Sequence, residues 1–254
     1  MIPVLSEILS DKTGGLVFRC FDVWHLLYIA VTAAVVAAAF LTLRKKSPGA
    51  KEKARRLFID IAFGLYMLDF ILMPFAYGEI SVEKLPFHVC TAMCVCCFVS
   101  CHVPALKGIS PHFALLGLIS NLTYLVYPAG VMWSGVSPFS YRVIQTLVFH
   151  AVMTVYGMLT VVYGRESFRF VNIRKDVLVL AAMTLWACLG NFLYSSSLSP
   201  YRAVYNWFFV TADPFGILPA EIGAFVMPLL NFAVFFAVIA LVYCVIALTR
   251  RARA

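Results

Sequence analysis

The sequence predicts an all-α polytopic membrane bundle of seven transmembrane helices, with the N-terminus outside and the C-terminus in the cytoplasm. Composition, span count and charge distribution predict it together. Of the 254 residues, 63% are apolar and 13% charged, and the mean hydropathy is +0.92. A soluble domain is about 45–50% apolar and about 25% charged, and one of this size has no interior large enough to hide the excess. Soluble enzymes, secreted disulfide scaffolds and disordered chains are excluded.

A helix needs about 20 mainly apolar residues to cross the hydrocarbon core. Span 1, Phe21–Leu43, is a mainly apolar run of about 23 residues, too long for the core of a signal peptide, so no cleavable signal is expected. Span 2, Leu57–Tyr77, carries Asp60 and Asp69. Span 3, Leu85–Val103, opens on Leu-Pro-Phe-His and holds five cysteines. Span 4, Pro111–Tyr127, contains Asn121, and span 5, Phe139–Tyr163, contains His150. Span 6, Val177–Ser195, ends near Asn191, and span 7, Ile222–Leu248, is a long and mainly apolar run. With no long linker, repeat or soluble segment, residues 1–254 read as a single integral membrane domain.

The net charge of +8 is read as topology, with no nucleic-acid partner. Alternating the seven spans puts 15 of the 20 Lys and Arg on one side, among them Arg44, Lys45, Lys46, Arg165 and Arg250. The other side receives Lys12, Arg19, Lys84, Arg142 and Arg202. Cytoplasmic loops carry the basic excess, which fixes the orientation. The aromatic outer connection, Ser196–Glu221, with Tyr201, Tyr205, Trp207, Phe208, Phe209 and Phe215, reads as an interfacial belt. A lid over a lipid-facing site is the alternative.

Ionisable and amide side chains inside spans are costly and need partners. Asp69, His88, Asn121, His150 and Asn191 all fall between roughly 5 and 17 Å below the outer surface at 1.5 Å per residue. One shared polar pocket in the outer half of the bilayer is the economical expectation. Asp60 and His25 lie nearer span ends and are expected to snorkel. Interhelical hydrogen bonding is the structural alternative for any one of these groups.

In span 3, Pro86 suits a first helical turn, which would place His88 and Cys90 near a helix N-terminus. The positive end of the helix dipole favours a thiolate there, and His150 would serve as its base. Two residues apart on a helix, however, His88 and Cys90 point about 200° away from each other. Cys90, Cys94, Cys97 and Cys101 follow helical spacing and read as one small-residue packing stripe. Cys94-x-x-Cys97 has no second ligand cluster, so neither metal nor another cofactor is expected. The sequon Asn121-Leu-Thr123 lies within a span and is expected to be inert.

Leu85-Pro86-Phe87-His88-Val89-Cys90 resembles the Leu-Pro-x-His-x-Cys signature of the bacterial YwaF-like integral membrane family, which is related to the eukaryotic transmembrane protein 164 acyltransferases. Tyr141-Arg142-Val143-Ile144-Gln145 followed by His150 resembles the family's fifth-span motif. Gly190-Asn191-Phe192-Leu193-Tyr194 resembles its sixth-span motif, and Tyr124-Leu125-Val126-Tyr127-Pro128 its fourth-span end. The resemblance implies membrane acyl transfer on lipid through a Cys–His pair, in the bacterial cytoplasmic membrane. In the eukaryotic branch the nucleophilic cysteine directly precedes the span-3 histidine; here that position is Phe87.

The first functional expectation is therefore an intramembrane acyltransferase or lipid-ester hydrolase acting on phospholipid or fatty-acyl substrate. His150 would be the general base, Cys90 the nucleophile, and His88 and Asn191 orienting or oxyanion groups. Asp69 would partner a histidine, and Asn121, Gln145 and Tyr141 would bind or orient substrate. The second expectation is a transporter, or a lipid- or small-ligand-binding protein, using the same pocket. Span 7 lacks a lysine for a retinal Schiff base, which excludes a rhodopsin-like pigment.

Overall fold

The structure is a computed structural model that describes residues 16–77, 82–132, 135–195, 205–211, 213 and 217–251. Lys12, Arg202 and Arg253 of the charge tally, and Tyr201 and Phe215 of the aromatic connection, lie outside the described residues. Among the described residues all regular structure is helical. The longer α-helices are α1 (Val23–Leu43), α2 (Pro48–Tyr77), α3 (Val89–His102), α4 (Ser110–Val126), α5 (Tyr141–Tyr163), α6 (Ile173–Ser195) and α7 (Ala220–Arg251). A single turn, Ala129–Met132, lies between α4 and α5.

Each helix falls where a span was expected, with shifted boundaries. Among the described residues, four stretches are long and apolar enough to cross a membrane: Val23–Leu43, Tyr141–Tyr163, Phe170–Tyr194 and Phe225–Arg250. At 14 and 17 residues, α3 and α4 reach about 21 and 26 Å, short of the roughly 30 Å hydrocarbon core.

The chain forms two compact units, each from two separate stretches: Met1–Lys84 with Ser120–Tyr163, and Leu85–Ile119 with Gly164–Ala254. The first unit is built around α5, whose apolar stretch is 61% buried. It packs most extensively on α2, and also on α1. Its core gathers Phe18, Leu125, Val131, Val136, Val143 and Leu147, and the Phe18 N–H donates to the Val136 carbonyl at 2.9 Å. By contrast, only 6% of the α1 stretch is buried. Its exposed face of Leu27, Val31 and Val35 suits contact with lipid.

The start of α1 corrects one expectation. Asp22 caps the helix by accepting the His25 N–H at 2.8 Å. His25 does not snorkel; it is 0% exposed. Its Nδ1 accepts the Phe21 N–H at 2.8 Å, and its Nε2 lies 2.7 Å from the Leu125 carbonyl. A carbonyl only accepts, so Nε2 carries the proton and the ring is a neutral bracket between α1 and α4. That bracket holds Phe21 at φ 60°, a backbone state unfavourable for a side chain of this size.

The second unit pairs α6 with α7, and α3 also packs on α6. Cys94 and Cys97 of α3 are 0% exposed, which places the middle of the cysteine stripe in the core. Leu115, Leu116, Leu180, Ala187, Ile239 and Phe168 complete that core. Along α7, Phe225, Leu229, Leu241 and Leu248 face outward, again an apolar surface suited to lipid.

The start of α3 differs from expectation. The helix begins at Val89, and His88 is its N-cap with extended backbone, φ −70° and ψ 139°. Pro86 lies ahead of the helix, where the Phe87 N–H donates to the Leu85 carbonyl at 2.7 Å in a tight turn. The 200° separation of His88 and Cys90 therefore does not apply, because His88 is not helical.

The bracket can be tested directly. His25→Leu removes two hydrogen bonds and leaves the buried Leu125 carbonyl without one, a loss of about 1–3 kcal/mol. Thermal unfolding in detergent should show a clear drop in melting temperature, and an unchanged midpoint would refute the bracket.

Candidate functional site

Five of the expected site residues fall in the first unit. Asp69 on α2 is 3% exposed, and its Oδ2 pairs with the Lys84 ammonium at 2.6 Å. Expected to partner a histidine, Asp69 thus has a lysine instead, delivered by the helical turn Val82–Lys84. Tyr141, the first residue of α5, interacts electrostatically with Asp69. The Tyr141 hydroxyl is buried and faces the Asp69 carboxylate, its side-chain hydrogen-bond partner. One turn along from Asp69 and Tyr141, the Gln145 side-chain amide donates to the Leu65 carbonyl at 3.3 Å. The α2–α5 seam is thus polar over two successive turns.

Further along α5, His150 is 7% exposed and stacks on Tyr124 with centroids 3.9 Å apart and planes at 13°. Its Nδ1 lies 2.6 Å from the Thr146 carbonyl one turn back. The carbonyl can only accept, so Nδ1 donates and, in the neutral ring, Nε2 carries the basic lone pair. Asn121, 0% exposed, lies one turn before Tyr124 on α4. Its burial also closes the sequon to glycosylation.

His88, Cys90 and Asn191 fall in the second unit. His88 is exposed and Cys90 half-buried, in the first turn of α3. Phe87, at the position of the eukaryotic cysteine, is 7% exposed and fills an aromatic cluster. Its ring lies 5.0 Å from Trp186, 5.0 Å from Trp207 and 5.8 Å from Tyr194. Trp207 also meets His88 edge-on at 6.4 Å and 89°, and stacks on Tyr205 at 4.5 Å.

Asn191 holds this cluster in place. Its Nδ2 donates to the carbonyls of Ala187 at 2.8 Å and Trp207 at 3.0 Å, and its Oδ1 accepts the Trp207 N–H at 3.1 Å. With its amide engaged on the backbone, Asn191 orients Trp207. The described part of the aromatic connection is not a surface belt either. Trp207, Phe208 and Val210 are 1–3% exposed, and the Asn231 amide bonds the Phe208 carbonyl.

A third polar cluster escaped the sequence reading. In the second unit His112 Nδ1 lies 2.9 Å from Asp176 Oδ2, and the Tyr243 hydroxyl donates to the same oxygen at 2.5 Å. All three residues are at most 2% exposed, and Phe168 packs edge-on against both rings. The cluster joins the start of α4, the start of α6 and the late part of α7. Its carboxylate carries no signal in the sequence, because Asp176 lies one residue before the expected span 6. Outside the spans, burial pushes the Cys20 thiol up and away from a reactive thiolate, against the opposing effect of a backbone hydrogen bond from Phe21.

The family model described as the TMEM164 family matches residues 20–249. No curated protein and no solved structure matches the chain.

Gly190 permits the aromatic cluster. A Cβ there would stand 2.3 Å from the Phe87 ring, which its stacked neighbours hold in place. Gly190→Ala gains about 1 kcal/mol of helix propensity but incurs about 1–3 kcal/mol of overpacking. The melting temperature should fall, with a shift in tryptophan emission; a rise would show that the cluster yields freely.

Proposed function

The chain belongs to the TMEM164 family, and on that premise we propose that it is an intramembrane acyltransferase or lipid-ester hydrolase of the YwaF-like bacterial branch. The observation that carries the reading is the state of His150. Buried, stacked and locked through Nδ1 by its own helix, it offers Nε2 as a fixed base. General bases of this kind contribute about 10²–10⁴-fold.

In the proposed chemistry the Cys90 thiol loses its proton, and the sulfur attacks an acyl carbonyl. The lysolipid oxygen leaves with that proton as a thioester forms. An acceptor hydroxyl, or water in the hydrolase, then takes the acyl group and restores the thiol. The first turn of α3 suits Cys90 to this role, because the helix dipole favours the thiolate. Asp69, Tyr141, Gln145 and Asn121 are assigned to orienting the substrate.

The first unit also carries an acyl-sized feature. Trp24, Tyr28, Thr32, Phe58, Leu147 and Val155 are among the residues that line an apolar groove of about 370 Å³. Its α1 wall extends from Trp24 to Val35, about 17 Å of helix rise. The exposed face of α1 opens this groove sideways, so a lipid chain enters from the bilayer and no aqueous channel is required.

We read the chain as one integral membrane domain with seven spans, N-terminus outside, in the bacterial cytoplasmic membrane. Each unit uses two separate stretches of chain, so neither is a continuous excisable segment, and the basic loops favour this orientation. A C-terminal green fluorescent protein fusion should fluoresce in cells, and a C-terminal alkaline phosphatase fusion should be inactive. The reverse pattern overturns the orientation.

An alkyne-tagged long-chain acyl probe should label the wild-type protein in membranes. Cys90→Ala should abolish labelling, and His150→Gln should slow it at least 100-fold. Labelling that survives Cys90→Ala removes Cys90 from the mechanism. Indifference to both substitutions overturns the acyl-transfer reading.

A further inference from the structure

The first turn of α3 has donors in need of an acceptor. The N–H groups of an initial helical turn have no intrahelical partner. The His88 cap makes no side-chain bond to them. The first intrahelical bond runs from the Ala92 N–H to the His88 carbonyl at 2.9 Å, which leaves the Val89 and Thr91 N–H groups pointing out of the helix end. Such an end attracts anions through these groups and the helix dipole.

A second donor stands beside this turn. Trp207 is 1% exposed, and its indole Nε1 has no hydrogen-bond partner among the described residues. A buried unsatisfied donor is unfavourable, and Trp186 in the same cluster shows the ordinary solution, donating to the Pro86 carbonyl at 2.7 Å. The Trp207 ring packs against Phe87 and His88, the two residues that lead into α3.

Trp207 is also held with unusual firmness. Asn191 bonds both its N–H and its carbonyl. The two residues after it, Phe208 and Phe209, have φ of 58° and 50°. Left-handed backbone at non-glycine residues persists only where surroundings impose it, and it gathers at functional sites.

We infer that the Trp207 indole N–H and the Val89 and Thr91 N–H groups of α3 form an oxyanion site that receives the acyl oxygen of a lipid substrate. The inference rests on the acyl-transfer reading and adds Trp207 to it as a substrate-contacting residue. Phe87, Trp186 and Tyr194 form an apolar wall beside these donors, and preorganised donors in such surroundings act most strongly on developing negative charge. Asn191 is a positioning residue that acts through Trp207.

The test needs no turnover. The chain has four tryptophans, Trp24, Trp133, Trp186 and Trp207. The protein in nanodiscs, labelled with ¹⁵N at the indole, should give an N–H signal for each. Oleate, a fatty carboxylate, should move one of them downfield, and that signal should be absent from Trp207→Phe. If Trp207→Phe does not fold, Trp24→Phe, Trp133→Phe and Trp186→Phe assign the signal by elimination. Hexadecylphosphocholine, which offers a phosphodiester with no carboxylate, should leave the signal in place.

A Trp207 signal that ignores saturating oleate, or that responds equally to the phosphodiester, overturns the site. In acyl transfer, Trp207→Phe should lower kcat about 100-fold with little change in KM; a KM effect at unchanged kcat also overturns it. An oleate response in a protein that no acyl probe labels supports the anion site while removing the acyl-transfer reading. Robust labelling with an unmoved indole does the reverse.

Discussion

A polar group inside an apolar bundle has no water to fall back on, and the rest of this structure follows from that constraint. Most polar side chains within the helices meet it locally. Thr32, Thr160 and Thr184 each donate to the carbonyl four residues earlier, at 2.8–2.9 Å. His25 uses both ring nitrogens on backbone, and Asn191 uses its oxygen and its Nδ2 on three backbone groups. Each solution fixes a rotamer, so satisfaction and rigidity arrive together. Against that background Trp207 Nε1, buried with no partner among the described residues, becomes informative.

The two buried acids show the same constraint under charge. Removing an ion from water costs several kcal/mol, so a buried carboxylate persists only with a cation or several donors. Within the first unit Asp69 has the Lys84 ammonium. Within the second, Asp176 has His112 and Tyr243, both on Oδ2, while Oδ1 has no partner among the described residues. Donors crowded onto one oxygen concentrate the negative charge there and hold His112 with Nδ1 protonated. The result is a rigid polar pin joining α4, α6 and α7, with Phe168 packed edge-on against the His112 and Tyr243 rings.

Helix number and order were legible in the sequence because apolar run length and charge sorting are direct consequences of the bilayer. Boundaries were less so. Pro86 marked a helix start, yet the tight turn at Leu85–Phe87 pushed that start to Val89, since the Phe87 N–H bonds outside the helix. Asp69, His150 and Asn191 were visible as costly polar groups, and their burial follows. Their partners were not visible. Lys84 on Asp69, Thr146 on His150 and Trp207 on Asn191 depend on side-chain direction and on a turn between helices, which spacing does not encode. His112, Asp176 and Tyr243 come from three distant segments, and none lies deep enough in a span to look anomalous.

The segment around Trp207 shows how these constraints combine. Two successive left-handed phenylalanines cost of order 1–3 kcal/mol each, while one net hydrogen bond contributes about 0.5–1.5 kcal/mol. The two Asn191 bonds to the Trp207 backbone therefore offset at most about one of those residues. The remainder must come from burying Trp207 and Phe208, large side chains worth about 1.5–3 kcal/mol each. Burial thus drives the strained turn inward, and the asparagine sets which way it faces. A chain folded for burial would favour an indole whose N–H reached a carbonyl, as that of Trp186 does. That Trp207 is buried, strained and clamped, with its N–H unanswered beside the start of α3, is what packing by itself does not explain.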